Sequence, residues 1–235
     1  MKKTTLSLML ALAMIFAMLT VTSCASSPLD GNDAVAAMKY VDEQMEGVKG
    51  FDVTMTTYMD GEAMEFTAKF DLSGETPKMY MVTETMGMNI ETTLVDGTMY
   101  MLMTMSGMTI KQKTTDPEMI DEMMSDMDSV NESYDYASAE FISREDGLYV
   151  IKGVLTEAAA KDSLGDLDGL EVADVKASVT YECDKDGKVS KTTLAYSYTL
   201  AGETVEETVD MVFNSLEIPT ITAPEDADEY TEMAE

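Results

Sequence analysis

Hydrophobic and polar residues alternate with a period of two along most of this chain, and the alternating stretches end at turns that contain glycine. Such alternation is typical of strands that bury one face and expose the other. Between residues 51 and 113 it predicts six strands, joined by turns that include Asp60-Gly61, Gly87, Asp96-Gly97 and Gly107. Each strand is expected to pair with the next one in an antiparallel meander.

The same alternation returns in the second half of the chain. A short strand around Phe141 leads through a turn at Asp146-Gly147 to a strand over residues 148–155. The three longest strands follow at residues 171–183, 188–200 and 203–213, joined by turns at Asp186-Gly187 and Ala201-Gly202. The chain therefore holds about eleven strands.

Three segments change to the period of an amphipathic helix. The first covers residues 33–46, after Asn32 or Asp33 as the capping residue, and the second runs from Pro117 to Val130 with an apolar stripe. The third, rich in alanine, covers residues 156–164. These elements predict an α+β fold, in which a curved antiparallel sheet of about eleven strands forms an unclosed half-barrel and helices plug its concave face.

The N-terminus has the pattern of a secretory signal peptide over residues 1–23, with Lys2 and Lys3 before an apolar run. It ends in Val21-Thr22-Ser23-Cys24, which resembles the lipobox of bacterial lipoproteins. We therefore expect Cys24 to be lipidated and to anchor the chain on the extracytoplasmic side of the cell membrane, or in an outer membrane if the host has one. Residues 24–32 are predicted to form the lipidated N-terminus and a spacer, residues 33–218 the folded domain, and residues 219–235 an acidic C-terminal tail that is disordered from residue 225.

Charge and residue types exclude several classes of function. Removal of residues 1–23 leaves 212 residues with a formal charge of −32, which disfavours a nucleic-acid partner because a phosphate backbone needs a basic surface. The chain has no histidine and no nucleophile or nucleotide motif, and Cys183 continues an apolar stripe. We predict a monomer that is not an enzyme and needs no cofactor or metal.

Methionine is the anomaly of the composition, with 24 residues in the chain. Met99, Met101, Met103 and Met105 occupy every second position and so share one face of a strand. Three interpretations remain open: a plain core, a cavity that adapts to apolar ligands, and a Cu(I) site built from thioethers. For the cavity, the predicted ligand-binding residues are Phe51, Val53, Met55, Phe66, Phe70, Met79, Met81, Met99, Met101, Met103, Met105, Met123 and Met127.

The order of elements, with Asp96-Gly97-Thr98-Met99-Tyr100 in the meander and residues 213–225 (FNSLEIPTITAPE) at the end, resembles the LolA-like superfamily, including the LppX and LprG type lipoproteins. The resemblance spans residues 33–226 and implies a half-barrel whose concave cavity captures acyl chains. Lipoprotein carriers of that superfamily use a cavity arginine, whereas Arg144 here lies beside the Asp146-Gly147 turn and is predicted to be exposed. The resemblance therefore implies binding of a lipid or another apolar ligand rather than lipoprotein sorting.

The sequence thus predicts a lipid-anchored extracytoplasmic protein that holds a lipid or another apolar small molecule between the sheet and the helix over residues 117–130. One alternative is a surface module for protein interaction or sensing, in which the methionines are plain core residues and no ligand is bound. The other alternative is a methionine-rich Cu(I)-binding protein.

Overall fold

The structure is a computed structural model that describes residues 27–59, 62–85, 87–117, 120, 134–164 and 172–233. The predicted signal peptide and Cys24 lie outside the described residues. So does most of the predicted second helix, including Met123 and Met127.

The described residues form one sheet of twelve strands. The strands are β1 (Gly50–Met59), β2 (Glu62–Asp71), β3 (Lys78–Thr85), β4 (Met88–Val95), β5 (Thr98–Met105), β6 (Met108–Thr114), β7 (Tyr136–Glu145), β8 (Leu148–Leu155), β9 (Val172–Asp184), β10 (Val189–Leu200), β11 (Glu203–Ser215) and β12 (Thr231–Glu232). Their order is β12-β6-β5-β4-β3-β2-β1-β11-β10-β9-β8-β7. All pairs are antiparallel except β12 with β6. The predicted large, unclosed, mainly antiparallel sheet is confirmed, with twelve strands instead of eleven.

Two meanders meet at the centre of this sheet. The first runs outward from β1 to β6, and the second returns from β7 to β11, which pairs with β1. Because neighbouring strands alternate in direction, the turns β1–β2, β3–β4 and β5–β6 all lie at one end of the sheet, the hairpin end. The start of β1 and the β7–β8 turn lie at the opposite end, the N-terminal end. At the β5–β6 turn both Ser106 (φ 50°) and Gly107 (φ 81°) have positive φ, as the tight hairpin requires.

Two α-helices are described in addition to the sheet, together with 3-10 helices at Pro28–Asp30 and Ala227–Glu229. Helix α1 (Ala34–Glu46) begins where Oδ1 of Asp33 accepts hydrogen bonds from the amides of Val35 and Ala36, both at 3.1 Å. It packs its apolar face on β7, β8 and β9. Helix α2 (Glu157–Leu164) packs on β8 and β9. Within the described residues no helix is long and apolar enough to span a membrane.

The predicted spacer is shorter than the sequence suggested. Residues Pro28–Asp30 form a 3-10 helix, and the Leu29 side chain is fully buried beside α1. The Tyr149 hydroxyl donates to Oδ1 of Asp30 at 2.8 Å, and the Arg144 guanidinium donates to the carbonyl of Gly31. The expectation of a free spacer through residue 32 was therefore wrong, because an apolar anchor and two polar contacts fix the chain to the N-terminal end of the sheet.

The C-terminal tail is also ordered over the described residues, so the prediction of disorder was wrong. Ile221 and Tyr230 are 7% and 6% exposed, and β12 adds a short parallel strand to the edge of β6. We call residues 219–233 the C-terminal strap. Its acidic composition suggested a solvated tail, but two buried hydrophobic side chains and a basic partner surface offset the entropy of ordering it.

Candidate ligand-binding surface

Strand register brings the predicted apolar residues of β1–β6 onto one face of the sheet, the inner face. Phe51 pairs with Phe70, Phe70 with Met79, Met79 with Leu94, and Leu94 with Met99. The next row toward the hairpin end contains Ala68, Met81 and Met101. The row after that contains Met55, Phe66, Ile90 and Met103. Side chains two residues apart on a strand share a face, so these rows form one continuous surface.

The half of this surface at the N-terminal end is closed core. Five of the predicted ligand-binding residues lie in one buried cluster and are at most 4% exposed: Phe51, Val53, Phe70, Met79 and Met99. The Phe51 ring lies 4.7 Å from the Phe70 ring and 5.9 Å from the Phe213 ring, measured between centroids. These side chains contact each other and stabilise the sheet.

Among the described residues, the half at the hairpin end is the more exposed one. Five more of the predicted residues are half-buried there, namely Met55, Phe66, Met81, Met101 and Met103, and Met105 is 47% exposed. Met64, Met108 and Ile110 on the same face are 46%, 62% and 50% exposed. These last three are not among the predicted ligand-binding residues, although their alternation places them on the inner face. We call these nine residues the methionine trough.

The two faces of β5 separate as the alternation predicted. Met99 lies in the inner cluster, whereas Tyr100 and Leu102 lie on the outer face, where the C-terminal strap covers them. A cleft of about 400 Å³ separates the strap from the outer face. The presence of Leu102 on the second face is therefore explained by this cover.

The rows of the inner face that run from Phe51, Val53 and Met55 across to β6 contain no ionisable side chain. Their polar members are threonine and glutamine, for example Thr92 and Gln112. Such a surface favours contact with an apolar molecule over general acid or base chemistry. Within the described part of the chain, no group of three or more acidic, cysteine or histidine side chains is close enough to hold a metal ion.

The most perturbed carboxylate lies away from the trough, under α1. Asp42 is 3% exposed, and its Oδ1 accepts hydrogen bonds from the hydroxyls of Tyr136 at 3.0 Å and Tyr181 at 2.7 Å. Among the described residues, its Oδ2 has no hydrogen-bond partner. Burial raises the pKa of Asp42 from 3.8 to about 6, against the opposing effect of the hydrogen bonds from Tyr181, Tyr136 and the Tyr134 backbone.

Two further predicted residues lie away from the trough. Cys183 is fully buried, and burial raises the pKa of its thiol to about 12, so it is a core residue rather than a nucleophile. Arg144 is exposed as predicted, and its guanidinium stacks 3.3 Å from the centre of the Phe141 ring. Neither residue can orient a ligand in the trough.

No protein-family model and no curated protein matches this sequence. Among solved structures, the chain is similar to a DUF1329 family protein from Desulfovibrio piger, at 12% sequence identity over 77% of this chain and 94% of that chain. The TM-score is 0.26, which is too low for the likeness to carry an argument about fold or function.

Proposed function

We propose that this protein binds a lipid or another apolar ligand in the methionine trough and is held by a lipid anchor on the extracytoplasmic side of the membrane. The observation that carries the proposal is the contrast along one apolar face, which is sealed at Met79 and Met99 and open at Met101, Met103 and Met105. Burial of apolar surface supplies about 25 cal/mol per Å², so enclosing one acyl chain is worth several kcal/mol.

The dimensions of the trough suit an elongated ligand. Along β5 the trough runs from Met101 to Met105, four residue steps or about 14 Å at the rise of an antiparallel strand. Unbranched methionine side chains adapt to ligands of different shape, which favours a class of acyl chains over a single compact molecule. The half-barrel and acyl-chain capture implied by the resemblance to LolA-like proteins agree with this proposal.

The position of the N-terminus adds an orientation to the proposal. Only residues 25–26 separate Cys24 from Ser27, where the described chain begins at the N-terminal end of the sheet. At about 3.3–3.6 Å per residue, that stretch holds the domain close to its anchor. The trough opens at the hairpin end, one strand length or about 34 Å away. Ligands would therefore enter at the end far from the tether.

A charge placed in the trough tests the proposal. Met103→Glu is expected to weaken uptake of dansylated undecanoic acid by at least about tenfold, because a buried carboxylate loses its hydration without gaining a partner. The measurement is a fluorescence titration of the mature protein. Thr109→Glu is the matched control, since it adds the same charge on the opposite face of the neighbouring strand, at an exposed position. Equal uptake by both variants would reject the trough as the binding site.

One observation favours Cu(I) binding as a second candidate function. Met105 pairs with Met88 on one side and with Met108 on the other, so three thioethers stand next to each other across β4, β5 and β6. Side chains directly opposite on paired strands have Cβ atoms about 4.5–5.5 Å apart, which allows three sulfur atoms to converge on one ion. Soft thioether ligands select Cu(I).

An anaerobic Cu(I) titration against a colorimetric chelator separates the two functions. If copper is the ligand, Met105→Leu should lower Cu(I) affinity strongly, because it removes the central sulfur of the three. The paired change Met101→Leu/Met103→Leu, which lies outside these three residues, should leave Cu(I) affinity unchanged at a cost in stability usually under about 1.5 kcal/mol. Under the apolar-ligand proposal, wild type does not compete with the chelator, and acyl-probe uptake changes only modestly in either variant.

A further inference from the structure

The C-terminal strap is held by a basic and aromatic patch on the outer face of β5 and β6. The Lys111 ammonium donates to the carboxylates of Asp226 and Glu229. It also lies 5.9 Å from the centre of the Tyr230 ring, which packs edge-on against Tyr100 at 5.3 Å. Both carboxylates raise the pKa of Lys111, so it stays charged.

Backbone contacts complete this attachment at the sheet edge. Thr231 pairs with Gln112 and Glu232 with Lys113 in the parallel β6–β12 ladder, and the amide of Met233 donates to the carbonyl of Lys113 at 2.9 Å. The attached segment, residues 226–233, is short and consists of a one-turn 3-10 helix, Ala227–Glu229, followed by β12. It uses an acidic pair, one aromatic anchor and strand addition. Strand addition to a sheet edge and recognition of acidic motifs by basic clusters are two recurring modes of peptide binding.

A cleft separates residues 220–226 of the strap from the sheet, on the N-terminal side of this patch. The cleft of about 400 Å³ beneath residues 220–226 is lined by polar and aromatic side chains, including Lys69, Tyr80 and Glu91. The contacts that fix the strap are therefore concentrated at Ile221 and at the patch around Lys111. Five acidic residues and no basic residue lie in residues 219–233 of a chain whose overall charge is −30. The lysine patch is complementary to that segment in charge.

We propose that residues 226–233 form a transferable docking segment, and that the outer face of β5 and β6 accepts the same segment from a second copy of this chain. A swapped contact repeats every interaction of the intramolecular one, so its enthalpy is unchanged. In wild type the chain's own strap occupies the outer face in preference to the strap of a second copy, because its covalent tether gives it a high effective concentration. The protein therefore stays monomeric at ordinary concentrations. This inference concerns the outer face and is independent of the proposed trough.

Two complementary full-length mature variants test the exchange. Lys111→Glu destroys the receptor but keeps the segment, whereas the neutral change Asp226→Asn/Glu229→Gln weakens the segment but keeps the receptor. Analytical ultracentrifugation should show a heterodimer in the mixture, with a dissociation constant at least about tenfold below that of either variant with itself. Raising the salt concentration from about 0.05 M to about 0.5 M should weaken the heterodimer, because the contact depends on charge.

Matched controls keep the outcome interpretable. Lys185→Glu makes the same charge change at a side chain that is 76% exposed and should not form a heterodimer with the segment-defective variant. The separate triple variant Lys111→Glu/Asp226→Lys/Glu229→Lys, in which all three charges are reversed, should restore the resident contact and remain monomeric. If Lys111→Glu does not fold by circular dichroism, a labelled peptide of residues 219–235 replaces it and must bind the segment-defective chain. A mixture that stays monomeric, or a peptide that does not bind, would overturn the proposal.

Discussion

Replacing Asp42 by asparagine is expected to remove a pH dependence of stability that reaches about 3 kcal/mol. The folded state raises the pKa of Asp42 from 3.8 to about 6, so the folded protein binds the proton more tightly than the unfolded chain does. Below pH 4 the Asp42 carboxyl is protonated in the folded and the unfolded protein, so folding buries no charge. As the pH rises through 6 the folded protein must bury the ionised carboxylate, and the free energy of unfolding falls. The difference in free energy of unfolding between Asp42→Asn and wild type should grow in favour of the variant from pH 4 to pH 7.5.

Urea unfolding at several pH values measures this difference, and the comparison of two variants cancels the many other carboxylates of the chain. Asp162→Asn is the matched control, because Asp162 is exposed on α2 and its substitution should leave the pH profile unchanged. A constant offset between Asp42→Asn and wild type across the range would show that Asp42 has an ordinary pKa in the folded protein.

The second large effect concerns the boundary between core and trough. Met79→Ala is expected to lower the free energy of unfolding by about 2–5 kcal/mol, since it removes a fully buried side chain next to Phe70 and Leu94 and leaves a cavity. Met108→Ala, at a side chain that is 62% exposed, should change stability by less than about 0.5 kcal/mol. Chemical denaturation of both variants measures the contrast. Similar losses in the two would mean that the hairpin end is packed as tightly as the N-terminal end.

Local signals in the sequence predicted most of the sheet. The turn chemistry of pairs such as Asp96-Gly97 and Ser106-Gly107, where both residues have positive φ, marks hairpins without reference to the rest of the chain. Alternation then fixes the face of each side chain, so it places Met99 and Tyr100 on opposite faces. Which end of the inner face is closed could not be predicted, because it depends on packing between distant elements such as Phe51 and Phe213.

The two wrong predictions, the free spacer and the disordered tail, concern segments that long-range contacts fix in place despite their polar or acidic composition. The strap is anchored by Lys111, which is 115 residues away from Asp226, and no local pattern connects the two. Leu29 lies in a stretch that reads as a polar spacer. For Asp42 a signal was present: it lies one residue after Val41 and four after Met38, on the apolar stripe of α1, so helical periodicity alone places a carboxylate in the core.

The central claim is that the open half of the inner face holds an apolar ligand. Native mass spectrometry of the mature protein, purified from its own host without denaturation, tests it most directly when combined with solvent extraction of the same sample. We expect a bound acyl-chain molecule at about one per protein, absent from Met103→Glu and retained by Thr109→Glu. Wild-type protein that is always free of ligand, and that takes up no acyl probe, would contradict it.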